Sequence, residues 1–165
     1  MTENLSVTLD KIDLKILKLI QNKGKMTIPE ISKKVKPGIS AVHTRIKRME
    51  KSGVIQKFTA VVDPVLLGRP TLAFILVTVR YRVPGTDIIL SQRAFCQEIA
   101  RHPYVLGVHV LSGEYDVLLK VRAENIEEMN RFIVDFLRQI PAVEKTLTMF
   151  AMDTYHDSLE LRDLK

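Results

Sequence analysis

Residues 71–152 carry a degenerate internal repeat, and it restricts the fold more than any other feature of the chain. Apolar and β-branched runs predict strands at 71–83, 104–111, 115–122 and 142–152, and helical spacing predicts helices at 87–101 and 126–139. Both helices run into a matching exit, His102-Pro103-Tyr104-Val105 and Ile140-Pro141-Ala142-Val143, with the two prolines 38 positions apart. The order is βαββαβ, which predicts an α+β domain of the split βαβ, ferredoxin-like type. Asn125 and Glu128 supply a capping pattern for the second helix, and Ile126, Met129, Ile133, Phe136 and Ile140 form its apolar stripe.

In the strand beginning at 71, Ala73, Ile75, Val77 and Val79 alternate with Leu72, Phe74 and Leu76, so both faces are apolar. Two helices cover only one face of a four-stranded sheet. The other needs a different cover, and the economical one is a second copy of the same chain. A homodimer is therefore expected.

The N-terminal third follows another period. Leu9, Ile12, Ile16 and Ile20 fall on one helical stripe, with Asp10 as N-cap and Asp13 as its partner, which predicts a helix over 11–21. Thr27, Pro29 and Glu30 open a second helix over 28–35. Pro37-Gly38 breaks it, and a third helix runs over 39–52 until Gly53 stops it. Two short helices around a tight turn predict a helix-turn-helix. A strand is expected at 54–63 and a linker at 64–70, which gives a first domain over 1–63 and a second over 71–165.

The charge is divided along the same boundary. Residues 1–63 hold 13 Lys and Arg against 6 Asp and Glu, or +7, while residues 64–165 sum to −1. A basic module joined to a near-neutral one predicts that the first meets a polyanion. On the third helix Val42, Ile46 and Met49 point one way. Ser40, Thr44, Lys47 and Lys51 point the other, flanked by Ala41, His43 and Arg48, short side chains first and cations later. Small polar groups let a helix approach base edges, and Lys or Arg reach phosphates, so these seven residues are the candidate contacts to double-stranded DNA. Arg45, at the edge of the apolar stripe, is placed equally well to pair inside the protein.

The turn Ser112-Gly113-Glu114-Tyr115-Asp116 joins the two central strands. Glycine there allows N–H groups to approach a carboxylate while an acid accepts an ammonium, which describes an amino-acid ligand; an ordinary hairpin turn uses the same residues.

Other chemistry is excluded by what the chain lacks. One cysteine, Cys96, permits no internal disulfide, and His43, His102, His109 and His156 have no metal-ligand spacing. HExxH, CxxC, Walker and GxSxG patterns are absent, so neither metal nor cofactor is expected. No apolar run approaches the ~20 residues that span a bilayer, and the polar start MTENLSVTLD is no signal sequence, which predicts a cytoplasmic protein without a membrane partner.

These residues resemble a known family. LDKIDLKILKLIQ, ISKKV, SAVHTRIKRMEKSGVI and VVDPVLLG are similar to the N-terminal half of the Lrp/AsnC (leucine-responsive, feast/famine) transcription regulators, and SGEYDVLLKV with IPAVEKTLTM to their C-terminal half. The resemblance spans about 9–155. It implies a DNA-binding regulator that dimerises through βαββαβ domains, often forms an octameric ring of four dimers, and binds a small effector, usually an amino acid. To the candidate effector turn Gly113, Glu114, Tyr115 and Asp116 it adds Thr146 and Thr148. Two positions depart from the family pattern: Gly38 where a serine cap is usual, and Leu147 between the threonines where a small polar residue is common. Proteins similar to this family also decarboxylate modified tetrapyrroles with pocket histidines, which would give His102 or His109 a catalytic role.

Overall fold

The computed structural model describes residues 8–164, which form two compact units. One comprises the chain up to Val61 with the tail from His156, and the other is Val62–Tyr155.

The first unit contains α1 (Lys11–Asn22), α2 (Ile28–Val35) and α3 (Ile39–Lys51), each within one residue of its predicted limits. Asp10 caps α1 by accepting the N–H groups of Ile12 and Asp13 at 2.8 and 2.9 Å, and the Asp13 carboxylate accepts the Asp10 N–H at 3.0 Å. At α2, Glu30 accepts both the N–H and the hydroxyl of Thr27 at 2.7 Å. Gly38 caps α3 with no side chain to offer. Ile16, Ile31, Val35, Val42, Ile46 and Met49 are buried together, and each such side chain contributes about 1.5–3 kcal/mol through its removal from water. The tail beyond His156 makes its contacts with this unit: the Gln21 amide donates to the Leu161 carbonyl at 3.2 Å and accepts its N–H at 2.9 Å.

The strand expected at 54–63 is not formed. These residues run without a paired neighbour, and Phe58, Val61 and Val62 are exposed. Their β-propensity is real, but a strand needs a ladder partner and none among the described residues pairs with this segment. The expected linker is a compact turn: Asp63 Oδ1 accepts the N–H groups of Val65 and Leu66, and Gly68 closes it at φ 76°, a value that favours glycine.

The second unit is the predicted βαββαβ domain, with β1 (Thr71–Val79), α4 (Gln92–Ile99), β2 (Val105–Val110), β3 (Val117–Ala123), α5 (Ile126–Arg131) and β4 (Val143–Phe150). The sheet is antiparallel in the order β2-β3-β1-β4. Ala73, Ile75, Val77 and Val79 face the helices and pack with Val117, Leu119, Val121, Phe95, Ile99, Met129 and Leu137. On the other face Leu76 lies between Leu118 and Leu147 in register, and Phe74 opposite Met149. Both edge pairings are interrupted, between Val105 and Gly107 in β2 and opposite Thr78 and Val79 in β4.

Three predicted limits are corrected. β1 ends at Val79 and α4 begins at Gln92, because Val83-Pro84-Gly85 turns the chain, an isolated bridge pairs Arg82 with Ile89, and Ser91 caps the helix only afterwards. The helix expected over 126–139 is α-helical only to Arg131, then a π turn over Phe132–Phe136 and a 3₁₀ turn over Leu137–Gln139. A π turn holds an extra residue, and no periodic count can show where it is inserted. Cys96 is half-buried against the core, and desolvation pushes its thiol pKa up, away from reactivity.

Candidate nucleic-acid interface and effector site

α3 is fixed to α1 by an ion-pair cluster. Asp13 is fully buried, and its two oxygens accept from Arg45 at 2.9 Å and from Arg48. Arg45 also reaches Asp10 at 2.6 Å. Hydrogen bonding from the Asp13 N–H, and then from Arg45, holds the Asp10 carboxyl below the usual carboxylate range. The two acids raise the Arg45 pKa in return. A buried carboxylate survives only when such partners replace its hydration, so the cluster is a specific polar tie between α1 and α3 beside their shared apolar core.

The opposite side of α3 faces solvent. Ser40, Ala41, His43, Thr44, Lys47, Arg48 and Lys51 are all exposed, while Val42, Ile46 and Met49 are buried beneath them. The Thr44 hydroxyl donates to the Ser40 carbonyl at 2.9 Å, which leaves its lone pairs to accept. Lys47 pairs with Glu50 at 3.2 Å. Arg48 is half exposed and divides its guanidinium between Asp13 and solvent, so this candidate contact has a structural partner that its position on the helix did not reveal. Arg45 turns inward and pairs with Asp10 and Asp13, the first of the two roles its place on the stripe allows.

At the turn between β2 and β3, Gly113 adopts φ 154° with open space where a Cβ would stand. The N–H groups of Gly113 and Glu114 donate to no backbone carbonyl among the described residues, the condition for an anion-holding turn. Asp116 is already occupied: Oδ2 accepts the Val79 N–H at 2.7 Å and Oδ1 the Tyr81 hydroxyl at 3.0 Å, a bond that raises the Tyr81 pKa. It therefore fixes the end of β1, and an ammonium ligand here would meet only its remaining lone pairs. Glu114 is exposed and Tyr115 half-buried.

Thr146 and Thr148 stand opposite Val77 and Ile75, hence on the helix-covered face, and Leu147 points to the other. Thr146 accepts from Arg138 Nε at 3.3 Å in a groove of about 390 Å³ lined by Arg138, Val143, Glu144, Lys145 and Thr146. Val77 lies between Val117 and Thr146 in register, so the 112–116 turn and the threonines share one end of the sheet. With β1 between them they are separated by about 10 Å and do not line one groove. Tyr81 and Arg138 were missed from sequence; only the register discloses them.

His102 and His109 do not converge. The His102 ring lies 4.7 and 4.6 Å from Phe132 and Phe136, accepts the Tyr104 N–H at 3.2 Å, and has its pKa lowered by burial. His109 is exposed and opposite Leu118, on the face away from the helices. No group of three potential metal ligands occurs among the described residues. No helix there is long and apolar enough to cross a membrane.

Residues 9–56 match a winged helix-turn-helix DNA-binding domain, and residues 72–161 match the Lrp/AsnC ligand-binding domain. The chain belongs to the Lrp/AsnC family. It is 40% identical over 157 residues to the HTH-type transcriptional regulator FL11 of Pyrococcus horikoshii, covering 95% of this chain and 98% of that one. The FL11 regulator of Pyrococcus furiosus is 39% identical over 153 residues, with 93% and 95% covered. Among solved structures, a transcriptional regulator of Neisseria meningitidis in complex with L-methionine superposes with a TM-score of 0.82 at 28% identity, over 93% of this chain and 96% of that one. An AsnC-family regulator of Agrobacterium tumefaciens gives a TM-score of 0.81 at 25% identity, over 93% and 96%. As a family member the chain is a DNA-binding transcription regulator with an effector domain and not an enzyme, and the tetrapyrrole decarboxylase alternative gains no support.

Proposed function

We propose that this Lrp/AsnC regulator reads a specific operator through Ser40, Ala41, His43 and Thr44, steadied by Lys47, Arg48 and Lys51, and that a bound amino acid alters this reading. The observation that carries the proposal is the short-chain, exposed N-terminal face of α3, tied to α1 by the buried Asp13. The effector is assigned to Gly113, Glu114, Tyr115 and Asp116, with Thr146 and Thr148 at the same end of the sheet. Free N–H groups at Gly113 support a carboxylate there, and the L-methionine complex of the Neisseria relative supports the class of ligand.

The working unit in this reading is a homodimer closed over Phe74, Leu76, Leu118, Leu147 and Met149, an apolar sheet face that the helices leave bare, and an octamer of four such dimers follows the family pattern. Domains divide at the 64–70 turn, and the cytoplasm is the compartment. The test is a thermal-shift panel of the twenty amino acids, followed by DNA retardation on the chain's own promoter fragment with and without any that stabilise. A stabilising amino acid that changes retardation is the expected result. Retardation that no amino acid alters removes the effector half of the proposal, and no retardation removes the operator half.

A further inference from the structure

Two irregularities of the second repeat meet at one groove. The π turn over Phe132–Phe136 and the 3₁₀ turn after it leave Leu137 in the core and bring Arg138 beside β4, where its Nε donates to the Thr146 hydroxyl at 3.3 Å. In β4, Lys145 pairs with Thr78 and Val143 with Val79, so Glu144 is an extra residue without a partner in β1. Such a bulge breaks the alternation of a strand and re-aims its side chains, which lets the consecutive residues Val143, Glu144, Lys145 and Thr146 line one groove with Arg138. π turns and bulges both recur beside functional sites.

The charges around this groove are held apart. Arg138, Glu144 and Lys145 are exposed, and none of the three has an ion pair among the described residues, whereas Arg131 on α5 closes on Glu127 and Glu128 at 2.7 Å. Arg138 bonds Thr146, eight positions on, and not Asp135, three positions back. Only its Nε is engaged, so the Nη groups remain to take a carboxylate. The Thr146 hydroxyl accepts from Arg138 and keeps its own proton to donate. The cavity, about 390 Å³ against the buried Val143, is within the size range of small-molecule sites. Two cations and one acid left unpaired around it complement a ligand with two anionic groups and one cationic group.

We propose that this groove is a second ligand site, separate from the 112–116 turn, and that it binds a dicarboxylic amino acid. One carboxylate is held by Arg138 and Thr146, the other by Lys145, and the ammonium by Glu144. Thr146 is the one residue shared with the effector reading. The new site needs neither Gly113 nor Asp116, which lie across β1 from it.

Full-length protein is titrated by calorimetry, at constant ionic strength, with L-glutamate and L-aspartate, with their amides L-glutamine and L-asparagine, and with glutarate and succinate, the diacids that lack the ammonium. At least one acidic amino acid should bind at least about tenfold tighter than its amide, the scale of one hydrogen bond to a charged group. Arg138→Gln and Lys145→Gln should each weaken that acid by a similar factor, and Arg138→Lys should recover part of the loss. Glu144→Gln should weaken the amino acid and spare the matching diacid. All three residues are exposed, so ligand-free unfolding midpoints should match the parent, and Asp116→Ala should retain the binding. Binding of neither acid, or an amide that binds as tightly as its acid, overturns the inference and leaves the effector reading untouched. Binding lost in Asp116→Ala and kept in Arg138→Gln also overturns it, and returns the ligand to the turn.

Discussion

Arg45 Nη1 lies 2.9 Å from Oδ1 of Asp13, a carboxylate with no solvent exposure, and this contact ties the recognition helix to α1. Asp13→Ala removes the acceptor for both Arg45 and Arg48. Because Asp10 remains to partner Arg45, and Arg48 is half exposed, no cation is left buried and alone. The expected destabilisation is about 2–3 kcal/mol, in the range of hydrogen bonds to charged groups, read from the denaturation midpoint of the first unit. Specific DNA affinity should fall further than this loss explains, since α3 loses its polar tie to α1; unchanged operator affinity in the folded variant would show that the cluster does not orient the helix.

His102 makes stability depend on pH. Burial lowers its folded-state pKa below the unfolded value near 6.5, so the unfolded chain binds the proton more readily. The contribution is complete above that unfolded value and is lost as pH falls from about 6.5 towards the folded pKa. Thermal unfolding between pH 7.5 and 5 should show a declining midpoint whose slope is smaller in His102→Phe. An equal slope in the variant would assign the effect to other groups.

Tyr81→Phe removes one of the two hydrogen bonds to Asp116. Tyr81 is 55% exposed, so water replaces the lost partner and the cost should stay below about 1 kcal/mol. Asp116→Ala also frees the buried end of β1 by removing the acceptor of the Val79 N–H, and should cost more than Tyr81→Phe. If Asp116 holds the effector ammonium, Asp116→Ala abolishes the ligand-induced thermal shift while Tyr81→Phe retains it; a full shift in both makes Asp116 purely structural.

Leu76 sits at the centre of the open sheet face, between Leu118 and Leu147. Leu76→Asp places a charge where a second copy is proposed to pack. Sedimentation should report a monomer for this variant and a dimer or larger for the parent. A parent that sediments as a monomer removes the dimer.

The sequence made the repeat and three helix limits legible because each is a local pattern with its own punctuation: Asp10 and Asp13, Thr27 and Glu30, Gly38. The outward face of α3 was legible for the same reason. What stayed hidden depends on distance along the chain. Arg48 finds Asp13 35 residues away, and Asp116 finds Tyr81 35 residues away, contacts that no spacing rule connects. The 54–63 segment shows the converse, a local preference for strand with no ladder to join.

Both borders of the sheet carry a break in their pairing, at Val105 and Gly107 on one side and opposite Thr78 and Val79 on the other. An unbroken border is a template for endless strand-by-strand growth, and a bulge twists the outer strand away from that geometry. The sheet thus leaves apolar side chains such as Leu147 and Met149 exposed on one face and offers no straight seam at either edge. Edge-to-edge growth into a fibre is thereby disfavoured at both borders, whatever packs on the apolar face.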